Sequence, residues 1–131
     1  MAVNSQRLKS DEMKTASARV DGVRVSLKNS KIICKELKGK KLDAAKKFLE
    51  RLTSKKESLG KKYYVSGAKK FLEILNSAES NAGSKQMDKE KLFIKSIKAD
   101  KSFRFSRPRS HLKRRGEQAK NIRIEVEVEE R

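Results

Sequence analysis

Apolar residues recur along this chain with two different periods, and the changeovers between them mark its elements. Residues 1–15 mix charge and polarity without a period, which predicts a flexible N-terminal arm ahead of one globular domain over 16–131. From Ala16 to Leu27 the positions Ala18, Val20, Val23, Val25 and Leu27 alternate with polar residues as in a strand, with a bulge or turn expected at Asp21-Gly22. Ser26 is placed to cap a short helix that runs from about Leu27 to Lys38, buries Ile33 and Leu37 and stops at Gly39. Cys34 would pack on that helix as a small hydrophobe. Asp43 is placed to cap a second helix, in which Leu42, Ala45, Phe48, Leu49 and Leu52 recur at helical spacing, and the lysine-rich residues 53–64 then form a loop. A third helix opens at Ser66, carries Ala68, Phe71, Leu72, Leu75, Ala78 and Ala82 on one face, and breaks at Gly83-Ser84. Residues 92–99 read as a second strand. Residues 122–128 alternate strictly, so Ile122, Ile124, Val126 and Val128 should face the core. One strand, three helices and two strands predict an α+β fold, with a small three-stranded antiparallel sheet packed on three short helices.

Composition changes this picture in one direction. The chain has 131 residues, 35% of them hydrophobic, enough for one small core, but 35 Lys and Arg stand against 17 Asp and Glu for a net charge of +18. A compact monomer with that charge repels itself unless a polyanion neutralises it. The densest block, residues 101–116, holds Lys101, Arg104, Arg107, Arg109, Lys113, Arg114 and Arg115 with His111 and no acid. Such a block is expected to stay solvated and disordered until it meets an anion. Because both flanks read as strands, it should form a long basic β-hairpin extension over about 101–120, with Pro108 near the tip because proline cannot donate to a ladder.

Several functions are excluded by the same inventory. One cysteine and one histidine can complete neither an internal disulfide nor a zinc site, so no metal is expected. No glycine-rich loop precedes Lys-Ser or Lys-Thr at phosphate-binding spacing, which leaves no cofactor and no small-molecule substrate in prospect. His111 sits among arginines that disfavour its protonation, and Glu125, Glu127 and Glu129 alternate on the exposed side of a strand, so neither group builds an enzyme. No run approaches the roughly 18 uncharged apolar residues of a membrane span.

What remains is polyanion binding. The candidate RNA-binding residues are Lys28, Lys31, Lys38, Lys40, Lys101, Arg104, Arg107, Arg109, His111, Lys113, Arg114, Arg115 and Lys120. Arginine outnumbers lysine in the hairpin block and grips phosphate bidentately. Phe103 and Phe105 interleave with Arg104, placed either to stack on unpaired bases or to pack at the hairpin's base. An alternative partner is DNA, with the hairpin inserted in a groove as in an architectural protein.

Four segments carry a further signal: Val25-Ser26-Leu27-Lys28, Leu37-Lys38-Gly39-Lys40, the helix from Ala68 to Ala82 ending Ser77-Ala78-Glu79-Ser80-Asn81-Ala82, and Lys91-Leu92-Phe93-Ile94 followed by Arg107-Pro108-Arg109. In this order they resemble the universal large-subunit ribosomal protein twenty-two family (L twenty-two), in its archaeal and eukaryotic form, over about residues 16–129. Leu27 stands where that family usually has proline, and His111-Leu112-Lys113-Arg114-Arg115 replaces its Gly-Arg-Ala tip. The resemblance implies a structural constituent of the cytoplasmic large ribosomal subunit that binds large-subunit ribosomal RNA. It also implies a globular part near the exit of the peptide tunnel, beside neighbouring ribosomal proteins, and a hairpin on the tunnel wall that the nascent polypeptide passes.

Overall fold

A computed structural model describes residues 15–108 and 115–131, in which strand β1 (Thr15–Val23) leads into helices α1 (Leu27–Leu37), α2 (Leu42–Thr53) and α3 (Val65–Ser84). A single 3-10 turn (Lys89–Lys91) then precedes β2 (Leu92–Ser106) and β3 (Gln118–Glu130). The sheet order is β1-β3-β2, all antiparallel, so the strand with the strictest alternation lies in the middle. Its inward residues Ile122, Ile124, Val126 and Val128 are buried, and they meet Ala16, Ala18 and Val23 of β1 and Leu92, Ile94, Ile97 and Ala99 of β2. α3 packs across β1, β3 and α2, while α1 lies against β2. Leu42, Ala45, Phe48, Leu49 and Leu52 of α2 and Ala68, Phe71, Leu75, Ala78 and Ala82 of α3 are all buried, with Leu72 half-buried against them. The fold is therefore α+β, a helical layer on one face of a three-stranded sheet. No helix among the described residues is long and apolar enough to cross a membrane.

The element ends differ from expectation for identifiable reasons. β1 stops at Val23, short of the alternation that runs on to Leu27, and Leu27 opens α1 where the helix is expected to begin. Val20 is 37% exposed because it lies at the rim of the helical layer, beside Lys70, Glu73 and Ser77. The Ser26 hydroxyl makes no cap; its carbonyl instead accepts both the Ser30 N–H, at 3.0 Å, and the Ser30 hydroxyl, at 2.9 Å. Asp43 lies inside the first turn of α2, where its charge favours the helix dipole, and Lys41 occupies the cap position. Ser66 is likewise one residue inside α3, which starts after Tyr64 in a left-handed conformation. α3 continues through Gly83 and Ser84, the Ser84 hydroxyl donating to the Ser80 carbonyl, and the turn out of the helix falls at Gln86, φ 59°. A glycine inside a helix costs only about 1 kcal/mol relative to alanine, too little to stop a helix with this much buried face. Gly39, by contrast, takes the left-handed position that ends α1, and the Gly39 N–H donates to the Ile94 carbonyl.

Cys34 is buried, as a small hydrophobe should be; desolvation, helped by the negative charge of Asp100, pushes its thiol up to about 12.

Residues 101–106 correct the expectation of a disordered block. β2 pairs with β3 from Leu92↔Glu130 as far as Ser106↔Gln118, and the Arg107 N–H then donates to the Glu117 carbonyl. Like charges face each other at Arg104↔Lys120, which disfavours pairing, but the ladder here is pinned from the side. The expected bulge at Asp21-Gly22 is present, between Val20 and Val23, and β2 carries two more, between Ile94 and Ser96 and between Lys101 and Arg104. Gly22, φ +73°, lies under the Phe103 ring, where a Cβ would come within 3.3 Å. The Ser102 hydroxyl donates to Asp21 at 2.6 Å, and Arg123 Nε donates to both oxygens of the same carboxylate at 3.1 Å. The remainder of the expected hairpin tip, including Arg109, His111, Lys113 and Arg114, and the N-terminal arm over 1–14 lie outside the described residues.

Asp21 thus joins all three strands and gives the junction a pH response. The Ser102 hydrogen bond, then that of Arg123, hold its carboxyl at about 2 against an ordinary 3.8. A depressed value means that the stabilisation is complete above the unfolded value and disappears as pH falls through the folded one. The melting temperature of the native chain should therefore exceed that of Asp21→Asn by a constant margin above a pH of about 5, and the margin should shrink between roughly pH 4 and 2. A margin independent of pH in thermal melts would show that the carboxylate charge does not hold this junction.

Candidate nucleic-acid interface

The two neighbours of β3 end at different places. β1 pairs only as far as Val23↔Ile122, whereas β2 follows β3 to Gln118, so residues 118–121 have a strand partner on one side alone among the described residues. Arg24, Val25 and Ser26 cross from the end of β1 to the start of α1, and between that crossing and the sheet lies a groove of about 710 Å³. Arg24, Lys28, Lys101, Arg104, Arg107 and Lys120 line it, and no carboxylate does so among the described residues. Six cations around one concavity repel one another, and their field is focused where an anion would sit. Arg107 has an outlet, with one guanidinium nitrogen 3.3 Å from Glu117 Oε1. The Arg24 guanidinium lies 5.9 Å from the centre of the Phe105 ring.

Five of the residues expected from sequence, Lys28, Lys101, Arg104, Arg107 and Lys120, meet in this groove. Lys31 is exposed one turn further along α1. Lys38 is exposed and Lys40 half-buried at the opposite end of that helix, about 15 Å from Lys28 at 1.5 Å per residue. Lys40 is engaged within the protein, its ammonium 4.5 Å above the Phe48 ring and 3.7 Å from Glu36. Arg115 is exposed beyond the ladder, and Arg109, His111, Lys113 and Arg114 are not described. Phe103 and Phe105 remain exposed, 59% and 39%, beside these cations.

Several charges elsewhere are balanced locally. Lys46 pairs with Glu79 of α3, and Arg51 pairs with Glu57 at 3.2 Å. On the sheet face away from the helices, Glu125 pairs with Arg19, Glu127 with Lys95, and Glu129 with Arg131. These acids neutralise neighbours and do not converge on a reaction centre. Arg24 is the groove residue that sequence reading passes over, because it falls on a polar position of the alternating stretch. Its usable signal was the bulge two residues before it, which ends the strand and redirects the chain toward α1.

A search by protein family matches residues 18–129, from the second turn of the β1 alternation to the last residues of β3, with the family described as ribosomal protein L22p/L17e. The chain belongs to the ribosomal protein L22p/L17e family. Comparison with curated proteins one at a time finds no match. The L22p/L17e family is structural and non-enzymatic, and its members are components of the cytoplasmic large ribosomal subunit that bind ribosomal RNA. The matched span of this L22p/L17e chain includes every residue of the groove, so its cations lie in the family's own fold and not on an appendage.

Proposed function

We propose that this chain, of the archaeal and eukaryotic type, anchors large-subunit ribosomal RNA in the basic groove and carries the β2–β3 hairpin inward along the wall of the peptide tunnel. The observation that supports this reading is the groove itself: among the described residues, six cations and no acid, at the point where the hairpin leaves the sheet. Phosphates brought there relieve the repulsion among these side chains, and the same RNA is then positioned to run along the hairpin's basic residues. RNA suits this surface through shape, 2′-hydroxyls and unpaired loops rather than through a base code. Lys101, Arg104, Arg107 and Lys120 belong to the groove, while Arg109, His111, Lys113, Arg114 and Arg115 are assigned to the tunnel side. Lys28 and Lys31 continue the surface along α1, and Lys38 and Lys40 form a secondary contact at its far end. Neighbouring ribosomal proteins near the tunnel exit and the nascent polypeptide are the remaining partners.

Family membership lends nothing to the DNA-binding alternative. The deciding experiment is a structure of the large subunit containing this chain. The reading expects residues 101–120 to border the tunnel and the groove to be filled by ribosomal RNA. A hairpin on the outer surface of the subunit would overturn the tunnel assignment.

A further inference from the structure

The floor of the groove contains polar atoms that the protein itself leaves unpaired. Asn121 is 4% exposed, and its Oδ1 has no hydrogen-bond partner. Such an atom is expensive to bury, because it has given up water and gained nothing in return. Asn121 belongs to β3 opposite the Lys101/Arg104 bulge, on the stretch that has lost β1 as a neighbour. Arg107 Nε, on the same groove, is a buried donor without an acceptor. The first turn of α1 opens onto this space as well. Ser26 supplies no side-chain cap there and the first turn carries no acidic residue, so no side chain of this turn compensates its leading N–H groups or the positive end of its dipole.

These features call for different partners. The helix start, Arg107 Nε and the rim cations Arg24 and Lys28 call for an anion with several acceptor oxygens. Asn121 Oδ1 calls for a neutral donor. An unpaired RNA nucleotide carries both, a phosphate together with the 2′-hydroxyl of its sugar or the exocyclic amine of its base. About 710 Å³ falls within the range of roughly 300–1,000 Å³ typical of pockets that enclose a small ligand.

We propose that the groove is a seat for one unpaired nucleotide of ribosomal RNA, with its phosphate against Arg24, Lys28 and the start of α1 and its sugar or base donating to Asn121. This deepens the RNA-binding reading and rests on it. The contact to Asn121 adds local selection to a surface otherwise dominated by charge, because a backbone phosphate alone cannot satisfy an acceptor.

The test uses the full chain and large-subunit ribosomal RNA, probed nucleotide by nucleotide with a 2′-hydroxyl acylating reagent for the sugar and dimethyl sulfate for the base. The native chain should protect a single-stranded nucleotide whose protection is lost with Asn121→Leu while the rest of the footprint stays. Affinity should fall about 3- to 10-fold, the usual worth of one hydrogen bond. The melting temperature of Asn121→Leu should be unchanged or higher, since the leucine removes an unpaired buried oxygen; a structural asparagine would lower it. Arg24→Gln/Lys28→Gln, both exposed positions, should uncover the same nucleotide, and this variant decides the matter should Asn121→Leu fold poorly. If the native chain protects the RNA and neither variant alters any unpaired nucleotide, the seat does not exist although RNA binding stands. If the native chain protects no ribosomal RNA at all, the RNA-binding reading itself fails.

Discussion

Affinity for isolated large-subunit ribosomal RNA is expected to fall about 10³- to 10⁵-fold as salt rises from roughly 50 to 200 mM, the drop associated with about six to ten neutralised phosphates. Six cations line the groove, Lys31 and Arg115 stand exposed nearby, and the net charge of +18 leaves few acids to compete with phosphate. Each contact releases condensed counterions, so the slope of log affinity against log salt counts contacts, at about 0.7 to 0.9 per phosphate. Replacing Lys101, Arg104 and Lys120 together with Gln removes three groove cations that make no ion pair within the described protein, and should flatten that slope by about two to three. Filter binding over a salt series measures both quantities. An affinity indifferent to salt would mean that the groove does not act by charge.

The elements were legible because burial imposes its period on the sequence. Ile122 to Val128 announced a strand, and Phe71, Leu72 and Leu75 announced a helix, since each has one face on the core. Element ends were less legible because they depend on small local terms. Ser26 does occupy the cap position, but its hydroxyl makes no capping bond, and Ser66 lies one residue inside its helix. The groove was half legible. Its lysines and arginines are visible in composition, but their meeting depends on β1 stopping at Val23 while β3 runs on, which is a tertiary event. Asn121 could not be singled out at all, for it reads as one more polar position outside the alternating segment. Lys40 and Lys46 have partners inside the fold that their positions in the sequence do not reveal, Phe48 with Glu36 for the one and Glu79 for the other. The length of β2 was obscured by its charge, although Phe103 and Phe105 flanking Arg104 already carried the period of two.

Leu75→Ala is expected to cost about 2–5 kcal/mol of folding stability, by lost transfer energy and by the cavity that remains. Leu75 is fully buried on α3, the helix that touches β1, β3 and α2 at once, so no single neighbour can move to fill the space without disturbing another contact. Domains of this kind have only about 5–15 kcal/mol in total, so the variant should melt roughly 10–20 °C lower. The triple groove variant should behave in the opposite way. Its three side chains are exposed, and substitutions at such positions usually shift stability by about 0.5 kcal/mol or less; relief of like-charge repulsion would if anything raise it. Calorimetry on the two proteins, beside the salt series, separates the roles of the two parts. Leu75→Ala examined well below its melting temperature should keep the native salt slope, because the groove cations remain in place, whereas the groove variant should keep the native melting temperature and lose slope. If Leu75→Ala flattened the slope while still folded, the groove would have to be shaped by the packing of α3, and the division between a scaffold that folds and a surface that binds would not hold for this chain.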